Sequence, residues 1–197
     1  MRMIGDLLLA AMYAMLLQNF ILTGGYGASE AIRMAAKPKQ LFRLTLFIML
    51  FSTVASGICV LLDQFRRVRA LGTIGHALIF ISVLGAVYLI VLFIVGYVFK
   101  ARQRTLRRLG TAAFNTLVLA VPFINYRAGF SVSEAIGSGI GSGLAFALAT
   151  VLINLGLRRL DKDDSIPDAF KGTPAIFIYV AILSLAFVGI TGRGMTL

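Results

Sequence analysis

Cysteine and histidine are almost absent from this chain of 197 residues, which contains one of each. Cys59 has no second cysteine for an intrachain disulfide, and a lone thiol does not make a metal site of the usual four-ligand type. We expect Cys59 to be a small buried side chain and His76 to lie at an interface. The sequence also contains no Walker loop and no Ser/His/Asp set, so nothing in it indicates a soluble enzyme.

Charged residues are scarce as well, at 14% of the chain against about 25% in soluble domains, whereas apolar residues make up 59%. A membrane-spanning helix needs roughly 20 apolar residues, and six stretches approach that length. The sequence therefore predicts an all-α integral membrane protein with a single domain, residues 1–197, and six transmembrane helices near residues 4–23, 40–62, 74–99, 109–126, 132–157 and 174–192. The fourth stretch is short and is interrupted by Asn115 and Pro122.

The six stretches form two sets of three that resemble each other. Each set opens with an asparagine in an apolar run, at Asn19 and Asn115, and a glycine or proline interruption and a Ser-Glu-Ala-Ile tetrapeptide follow, at residues 29–32 and 133–136. Because three spans are an odd number, the second copy must lie upside down relative to the first. The pattern predicts two inverted three-helix repeats with broken first helices, at about 4–99 and 109–192, whose broken segments meet within the membrane.

The net charge of +11 is distributed unevenly between the loops. Thirteen basic residues lie in the loops after the first, third and fifth spans, and six lie on the other side, where residues 66–69 form the one basic cluster. The positive-inside rule places the richer side in the cytoplasm, with both termini outside. We expect these residues to set the topology and to contact lipid headgroups, and we expect no nucleic-acid partner.

Several polar residues lie within the apolar stretches. A buried amide without a partner costs on the order of 1–3 kcal/mol. Two interpretations stay open for Asn19 and Asn115: they satisfy backbone groups at a helix break, or they line a polar site for an ion, a proton or a cofactor. For Gln18 and Asn154 the structural role is favoured, and Asp63 is expected to be a solvated carboxylate at the end of a span.

Two local motifs predict helix geometry around the fifth span. Ser131 and Glu134 have the spacing of a capping box, so a helix should begin there. Four glycines follow at alternate positions from Gly137 to Gly143, and at helical spacing they form small faces that let two backbones approach closely. We expect these faces to pack against other helices, within the chain or in a partner.

The sequence also resembles a known family of membrane subunits. Residues 17–22, 55–63, 166–172 and 184–189 are similar to the six-helix A and E subunits of the Rnf complex and to the D and E subunits of the sodium-pumping NADH:quinone reductase (Nqr), and the similarity extends from about residue 5 to residue 192. The resemblance implies a bacterial or archaeal cytoplasmic membrane. The predicted orientation, with both termini outside, suits the A-type member of the Rnf pair.

The resemblance implies a non-catalytic subunit of a redox-driven translocase. In this family, two homologous subunits of opposite orientation pack together, and each half of each subunit supplies one cysteine to a [2Fe–2S] cluster in the membrane. The implied partners are that opposite-oriented six-helix subunit, other membrane and redox subunits with flavin and iron–sulfur centres, and the lipid bilayer.

The chain departs from the family at the cluster ligands. The matching positions fall at or beside Ser29 and on Thr116, and neither is cysteine. Hydroxyls stay protonated near neutral pH and are poor ligands for a [2Fe–2S] cluster, which needs thiolates or histidines. We therefore expect this chain to bind no cofactor and no metal of its own, and its degenerate cluster site would comprise Asn19, Ser29, Asn115 and Thr116.

Two classes of function follow from the sequence. One is a membrane subunit of an ion-translocating electron-transport complex that acts as a scaffold or lines an ion or electron path without its own [2Fe–2S] cluster. The alternative is a small inverted-repeat transporter that has lost redox function. Co-purification with flavin or iron–sulfur subunits distinguishes the first from the second.

Overall fold

A computed structural model describes residues 2–160 and 167–192, and within these residues the secondary structure is entirely helical. Ten α-helices follow one another along the chain: α1 Arg2–Met12, α2 Phe20–Gly24, α3 Ala28–Ala35, α4 Leu41–Asp63, α5 Arg66–Arg69, α6 Thr73–Phe93, α7 Gln103–Ala113, α8 Thr116–Ala128, α9 Val132–Leu160 and α10 Thr173–Thr191. Short π-helical turns extend α1 through Tyr13–Leu17 and α6 through Ile94–Val98.

Five helical segments of the described chain are long and apolar enough to cross a membrane: Pro38–Asp63, Thr73–Val98, Gln103–Ala128, Val132–Leu160 and Thr173–Thr191. The predicted all-helical fold is therefore confirmed, and five of the six predicted spans correspond to helices long and apolar enough to cross a membrane. The expected first span contains a shorter apolar helix, Met3–Leu17, because the chain breaks directly after it. The segment that corresponds to the fourth predicted span starts at Gln103 rather than near residue 109, because α7 adds an arginine-rich amphipathic helix that hydropathy alone does not identify.

The two longest helices, α4 and α9, cross at the centre of the bundle and run in opposite directions. A β-carbon on Gly139 would lie 2.5 Å from the Thr53 Cα, and one on Gly143 would lie 2.6 Å from the Met49 Cβ. Residue numbers therefore rise along α9 as they fall along α4. The close approach buries Phe51 and Phe146 completely.

The other glycine face of α9 packs against α1, which runs parallel to it. A β-carbon on Gly137 would overlap the carbonyl group of Leu7, and one on Gly141 would overlap that of Ala11. The predicted use of these glycines for close packing is confirmed, and the packing is within the chain. Such proximity yields van der Waals contact where lipid supplies no hydrophobic drive between helices.

Two further spans lie on the periphery. Helices α6 and α10 expose large apolar side chains, among them Ile74 at 79% and Ile190 at 84%. Exposed apolar side chains of this kind suit a lipid environment, because lipid tails are apolar and the side chains need not be buried by protein there.

Local structure explains where α9 begins. The Ser131 backbone N–H and hydroxyl both donate to Glu134 Oε2, at 2.7 Å, and the Glu134 N–H donates to Ser131 Oγ at 3.4 Å. The predicted capping box is confirmed. The two Ser-Glu-Ala-Ile tetrapeptides lie in different kinds of element, however, because the first belongs to the eight-residue α3 and the second opens the long α9.

Candidate functional site at the helix breaks

The first broken segment is interrupted at Gln18 and Asn19. The backbone leaves the helical region there, and Asn19, with φ −59° and ψ 97°, becomes the N-cap of α2. Its Oδ1 accepts hydrogen bonds from the N–H groups of Ile21 and Leu22, at 3.2 and 3.3 Å. Such a cap satisfies backbone donors that a helix start leaves free, which is why a short helix re-forms after the break.

The other end of the Asn19 side chain ties the break to its surroundings. Nδ2 donates to the carbonyls of Met15, at 3.4 Å, and of Ala145 on α9, at 3.3 Å. Asn19 is completely buried, and both amide donors and the acceptor oxygen are engaged by the protein itself. An amide offers two donors and one acceptor oxygen with two lone pairs, so the geometry favours the first of the two interpretations, a structural role at the break.

The second broken segment is interrupted at Phe114 and Asn115 rather than at Pro122, which α8 accommodates in its interior. Asn115 is the N-cap of α8, and its Oδ1 accepts from the Leu117 N–H at 2.9 Å. The two asparagines of the predicted repeat thus have the same local role. They differ in one respect: Asn115 Nδ2 is buried without a hydrogen-bond partner among the described residues.

The turn between α2 and α3, which follows the first break, contacts the second break. The backbone N–H of Gly27, which precedes α3, donates to Thr116 Oγ1 at 2.8 Å. Gly27 has φ +75°, and a β-carbon there would lie 2.7 Å from Asn115 Oδ1. Only glycine fits this position without strain, because the left-handed conformation and the adjacent amide both exclude a side chain.

The structure therefore brings three of the four predicted site residues into one region. Thr116 and Asn115 contact Gly27, and Ser29 lies two residues further, in the first turn of α3, with its side chain exposed. Asn19 lies at the opposite end of α2, a helix of five residues that is about 7 Å long. We call the contact between Gly27, Asn115 and Thr116 the break junction.

The chemistry of the break junction does not fit an iron–sulfur cluster. Ser29 and Thr116 offer hydroxyls, Asn115 offers an amide, and the only cysteine, Cys59, is buried on α4 outside this group. In the described part of the chain, no three His, Cys, Asp or Glu side chains are grouped to hold a metal ion. Thiolate ligation of a [2Fe–2S] cluster has no donor set at this place.

A second polar cluster was not predicted. His76 is completely buried rather than interfacial: its Nε2 lies 3.0 Å from Asp63 Oδ1, and its ring stacks on that of Tyr126 at 4.2 Å between centroids. Asp63 is accordingly a hydrogen-bond partner rather than a free loop carboxylate. The sequence does contain a feature that could have predicted this pair. The connection between α4 and α6 is short, so a carboxylate at the end of one span lies close to an imidazole near the start of the next.

Asp63 of this pair lines a cavity of about 460 Å³, together with residues of α4, α5, α6, α8 and α9. Asn125 lines it and donates through Nδ2 to Ser56 Oγ, while its buried Oδ1 has no partner among the described residues. Cys59 also lines it, and its predicted role as a buried thiol is confirmed. The remaining amide, Asn154, donates to the Ala35 carbonyl at the end of α3, as expected for a structural residue.

Replacing Thr116 with valine should lower the free energy of unfolding by about 1 kcal/mol, because valine keeps the shape and removes the acceptor of the Gly27 N–H. Serine at the same position should retain most of the stability. Unfolding of the detergent-solubilised protein, followed by circular dichroism, compares the three proteins. Equal stability of the valine variant and the original would contradict a contribution from this hydrogen bond.

Replacing Asp63 with alanine should cost about 1–3 kcal/mol, because the buried His76 Nε2 then loses its partner. The matched control is Asp6→Ala, which removes an exposed carboxylate and should change stability by less than about 0.5 kcal/mol. Thermal unfolding of both variants at one pH gives the comparison. A similar small change in both would show that the His76–Asp63 contact is not stabilising.

Several known proteins are similar to the chain, and three of them are each named as the A subunit of an ion-translocating oxidoreductase complex. The one from Pasteurella multocida (strain Pm70) is 28% identical over 181 residues, covering 90% of this chain and 92% of the relative. The one from Syntrophotalea carbinolica is 28% identical over 192 residues, covering 95% and 97%. The one from Aromatoleum aromaticum is 42% identical over 78 residues, 40% of each chain. No protein-family model matches.

Proposed function

We propose that this chain, a homologue of the A subunits of ion-translocating oxidoreductase (Rnf) complexes, is an integral membrane subunit of an Rnf- or Nqr-like electron-transport complex. The observation that carries the proposal is similarity over nearly the whole length of relatives that bear this name. The apolar helices agree with a multi-pass membrane protein. The alternative of a stand-alone transporter is not favoured, because these relatives are named as subunits of a complex.

The break junction supports a scaffold role for this part of the protein. Its contacts are one hydrogen bond, from the Gly27 N–H to Thr116 Oγ1, and the close approach of the Gly27 backbone to the Asn115 side chain, between two broken segments that lie 89 residues apart in sequence. Such contacts hold two half-helices in a fixed relation. Asn115 Nδ2 has no partner among the described residues, so its two buried N–H donors are available to a carbonyl group, a water molecule or a partner subunit.

We further propose that the chain carries no [2Fe–2S] cluster of its own. The positions that match the family's cysteines are Ser29 and Thr116, and Thr116 already accepts a hydrogen bond from Gly27. An opposite-oriented homologous subunit with two cysteines would supply only half of the four ligands. Flavin and iron–sulfur centres then belong to partner subunits.

The inverted repeat and the orientation belong to the same proposal. The second spans of the two proposed repeats, α4 and α9, are antiparallel, as inversion of a three-helix unit requires. Each also packs against the lead segment of the other half: α9 against α1 and α3, and α4 against α7 and α8. This reciprocal packing supports two repeats related by inversion. The charge distribution supports an orientation in which both termini lie on the outer side of the cytoplasmic membrane.

The proposal is tested by gentle solubilisation of membranes that contain the tagged chain, followed by identification of the proteins that co-purify. Flavin-carrying or iron–sulfur subunits in stoichiometric amount are the expected result. The purified chain reconstituted alone should give no solute or ion flux in liposomes. Flux by the chain alone, without an electron donor and without co-purifying redox subunits, would support the transporter instead.

The absence of a cluster is tested separately, by electron paramagnetic resonance and iron content of the isolated subunit. The expected result is no iron above background in the chain, whether or not redox subunits co-purify. A [2Fe–2S] signal that survives in the isolated subunit would overturn this part of the proposal and leave the membership of a complex intact.

A further inference from the structure

A strongly basic pocket lies where the chain enters α4 and α7. It has a volume of about 230 Å³ and is lined by side chains from both halves of the protein. Its charged members are five cations and one anion: Arg33, Lys37, Arg104, Arg107, Arg108 and Glu30. We call it the basic pocket.

The single carboxylate of the basic pocket is already paired. Arg33 donates to Glu30 through Nε at 2.8 Å and through Nη2 at 2.5 Å, which makes a bidentate ion pair. None of the other four cations has a carboxylate partner in the part of the chain that the structure describes. The pocket therefore has a net positive charge that the described protein does not neutralise.

The arginines of α7 are also placed unfavourably for an empty pocket. Arg104, Arg107 and Arg108 lie in the first two turns of an 11-residue helix that contains no acidic residue. The first turn of a helix carries partial positive charge, which destabilises Arg104 there, and the three cations also repel one another. Arg108 is nevertheless held in place, because its Nη2 donates to Gln40 Oε1 at 3.0 Å. A bound anion would offset both repulsive effects.

The location of the basic pocket identifies the kind of anion. It lies at the N-terminal end of the apolar helix α4, which is the level of the lipid headgroups if that helix spans the membrane. Its lining also includes Met34 and Leu44, whose side chains are largely buried in the protein core. Cations at this depth match the phosphate group of a phospholipid.

We propose that the basic pocket binds the phosphate group of an anionic phospholipid of the leaflet that it faces. Arginine forks hold phosphate oxygens by paired N–H donors, and Lys37 adds a point charge. Since Lys37 follows α3 and Arg104, Arg107 and Arg108 belong to α7, the lipid would bridge these two parts of the chain. It would act there as a non-covalent clamp.

The test is native mass spectrometry of the delipidated protein, or of the complex that contains it, titrated with phosphatidylglycerol, phosphatidylcholine or soluble glycerol phosphate. The expected result is at least tenfold preference for phosphatidylglycerol over phosphatidylcholine. Glycerol phosphate should compete only weakly, because it lacks acyl chains. Equal binding of both lipids would overturn the proposal, and competition by glycerol phosphate at the same concentration as the lipid would assign the pocket to a soluble phosphate.

Two double substitutions distinguish lipid binding in the basic pocket from attraction by the general surface charge. Arg104→Gln with Arg107→Gln should weaken phosphatidylglycerol binding about 25-fold, at roughly fivefold for each near-surface cation. The control, Arg66→Gln with Arg67→Gln, removes the same charge from exposed α5, which follows the far end of α4, about 34 Å away along that helix. It should change binding less than threefold.

A single substitution tests the pocket independently, in case the double variant loses lipid binding because it misfolds. Lys37→Gln alters an exposed residue outside the α-helices and should weaken lipid binding about fivefold while the helical circular dichroism stays unchanged. Equal losses in the pocket and control pairs, or undiminished binding by Lys37→Gln and the pocket pair, would overturn the assignment of the lipid phosphate to this pocket.

Discussion

Replacing Gly141 with alanine is expected to destabilise the protein by about 2–3 kcal/mol, although alanine is the better helix former. The added methyl group would overlap the carbonyl oxygen of Ala11 and would lie 2.9 Å from the Ala11 Cα. Backbone atoms cannot move aside as a flexible side chain does, so α1 and α9 must separate. Leucine at the same position should prevent the two helices from packing.

The matched control is Gly85→Ala on α6, where a β-carbon would meet no atom within 4 Å. This variant should be unchanged or more stable by up to about 1 kcal/mol, because alanine has the higher helix propensity. The opposite signs of the two effects distinguish close packing from propensity. Unfolding in detergent, followed by circular dichroism and size-exclusion chromatography, measures both. Gly141→Ala with stability equal to the original protein would rule out this close approach of α1 and α9.

Replacing Gly27 with alanine is expected to cost about 2–4 kcal/mol and to open the break junction. About 1–2 kcal/mol arises from placing a side chain at φ +75°. The rest arises because the new β-carbon would lie 2.7 Å from Asn115 Oδ1 and 3.2 Å from the Leu117 Cβ. Asn115 must then move, and α8 loses the cap to the Leu117 N–H, which is worth about 0.5–2 kcal/mol.

Gly25→Ala is the control for this substitution. Gly25 has nearly the same backbone conformation, with φ +71°, but a β-carbon there would meet no atom within 4 Å. It should therefore show the conformational cost alone, about 1–2 kcal/mol. The difference between the two variants measures the contact across the break junction. If both lose the same stability, the two breaks do not constrain each other through Gly27.

The Gly27 variant also tests the proposed function. If the break junction acts as a scaffold, Gly27→Ala should reduce the amount of assembled complex in proportion to its lost stability. Activity per assembled complex should then be retained. A fully assembled complex with strongly reduced electron transfer would instead assign the junction to the ion or electron path.

Local features of the fold were predictable because short-range geometry determines them. The sequence predicted interruptions after Asn19 and Asn115, and the structure shows that each asparagine itself caps a helix that begins directly after it. The capping box at Ser131 and the glycine faces of α9 follow from spacing in the same way. The position of the second break was wrong by several residues, because a proline in the interior of α8 was taken as the interruption.

Contacts between residues far apart in sequence were harder to predict. His76 was expected at an interface, and its burial against Asp63 and Tyr126 depends on how α4, α6 and α8 pack. The hydrogen bond from Gly27 to Thr116 and the unpaired Asn115 Nδ2 depend likewise on the meeting of distant segments. Side-chain type alone does not reveal whether a polar atom finds its partner across the bundle.

The sequence by itself determined that the chain is helical and suited to a membrane, and that Ser29 and Thr116 stand where the family it resembles has cysteines, because composition and residue identity are local properties. Only the tertiary structure decided that the two broken segments touch at Gly27 and Thr116, that α9 is held between α1 and α4 through opposite glycine faces, and that cations from both halves share one pocket. Those contacts join residues far apart in sequence, and their existence depends on the packing of whole helices.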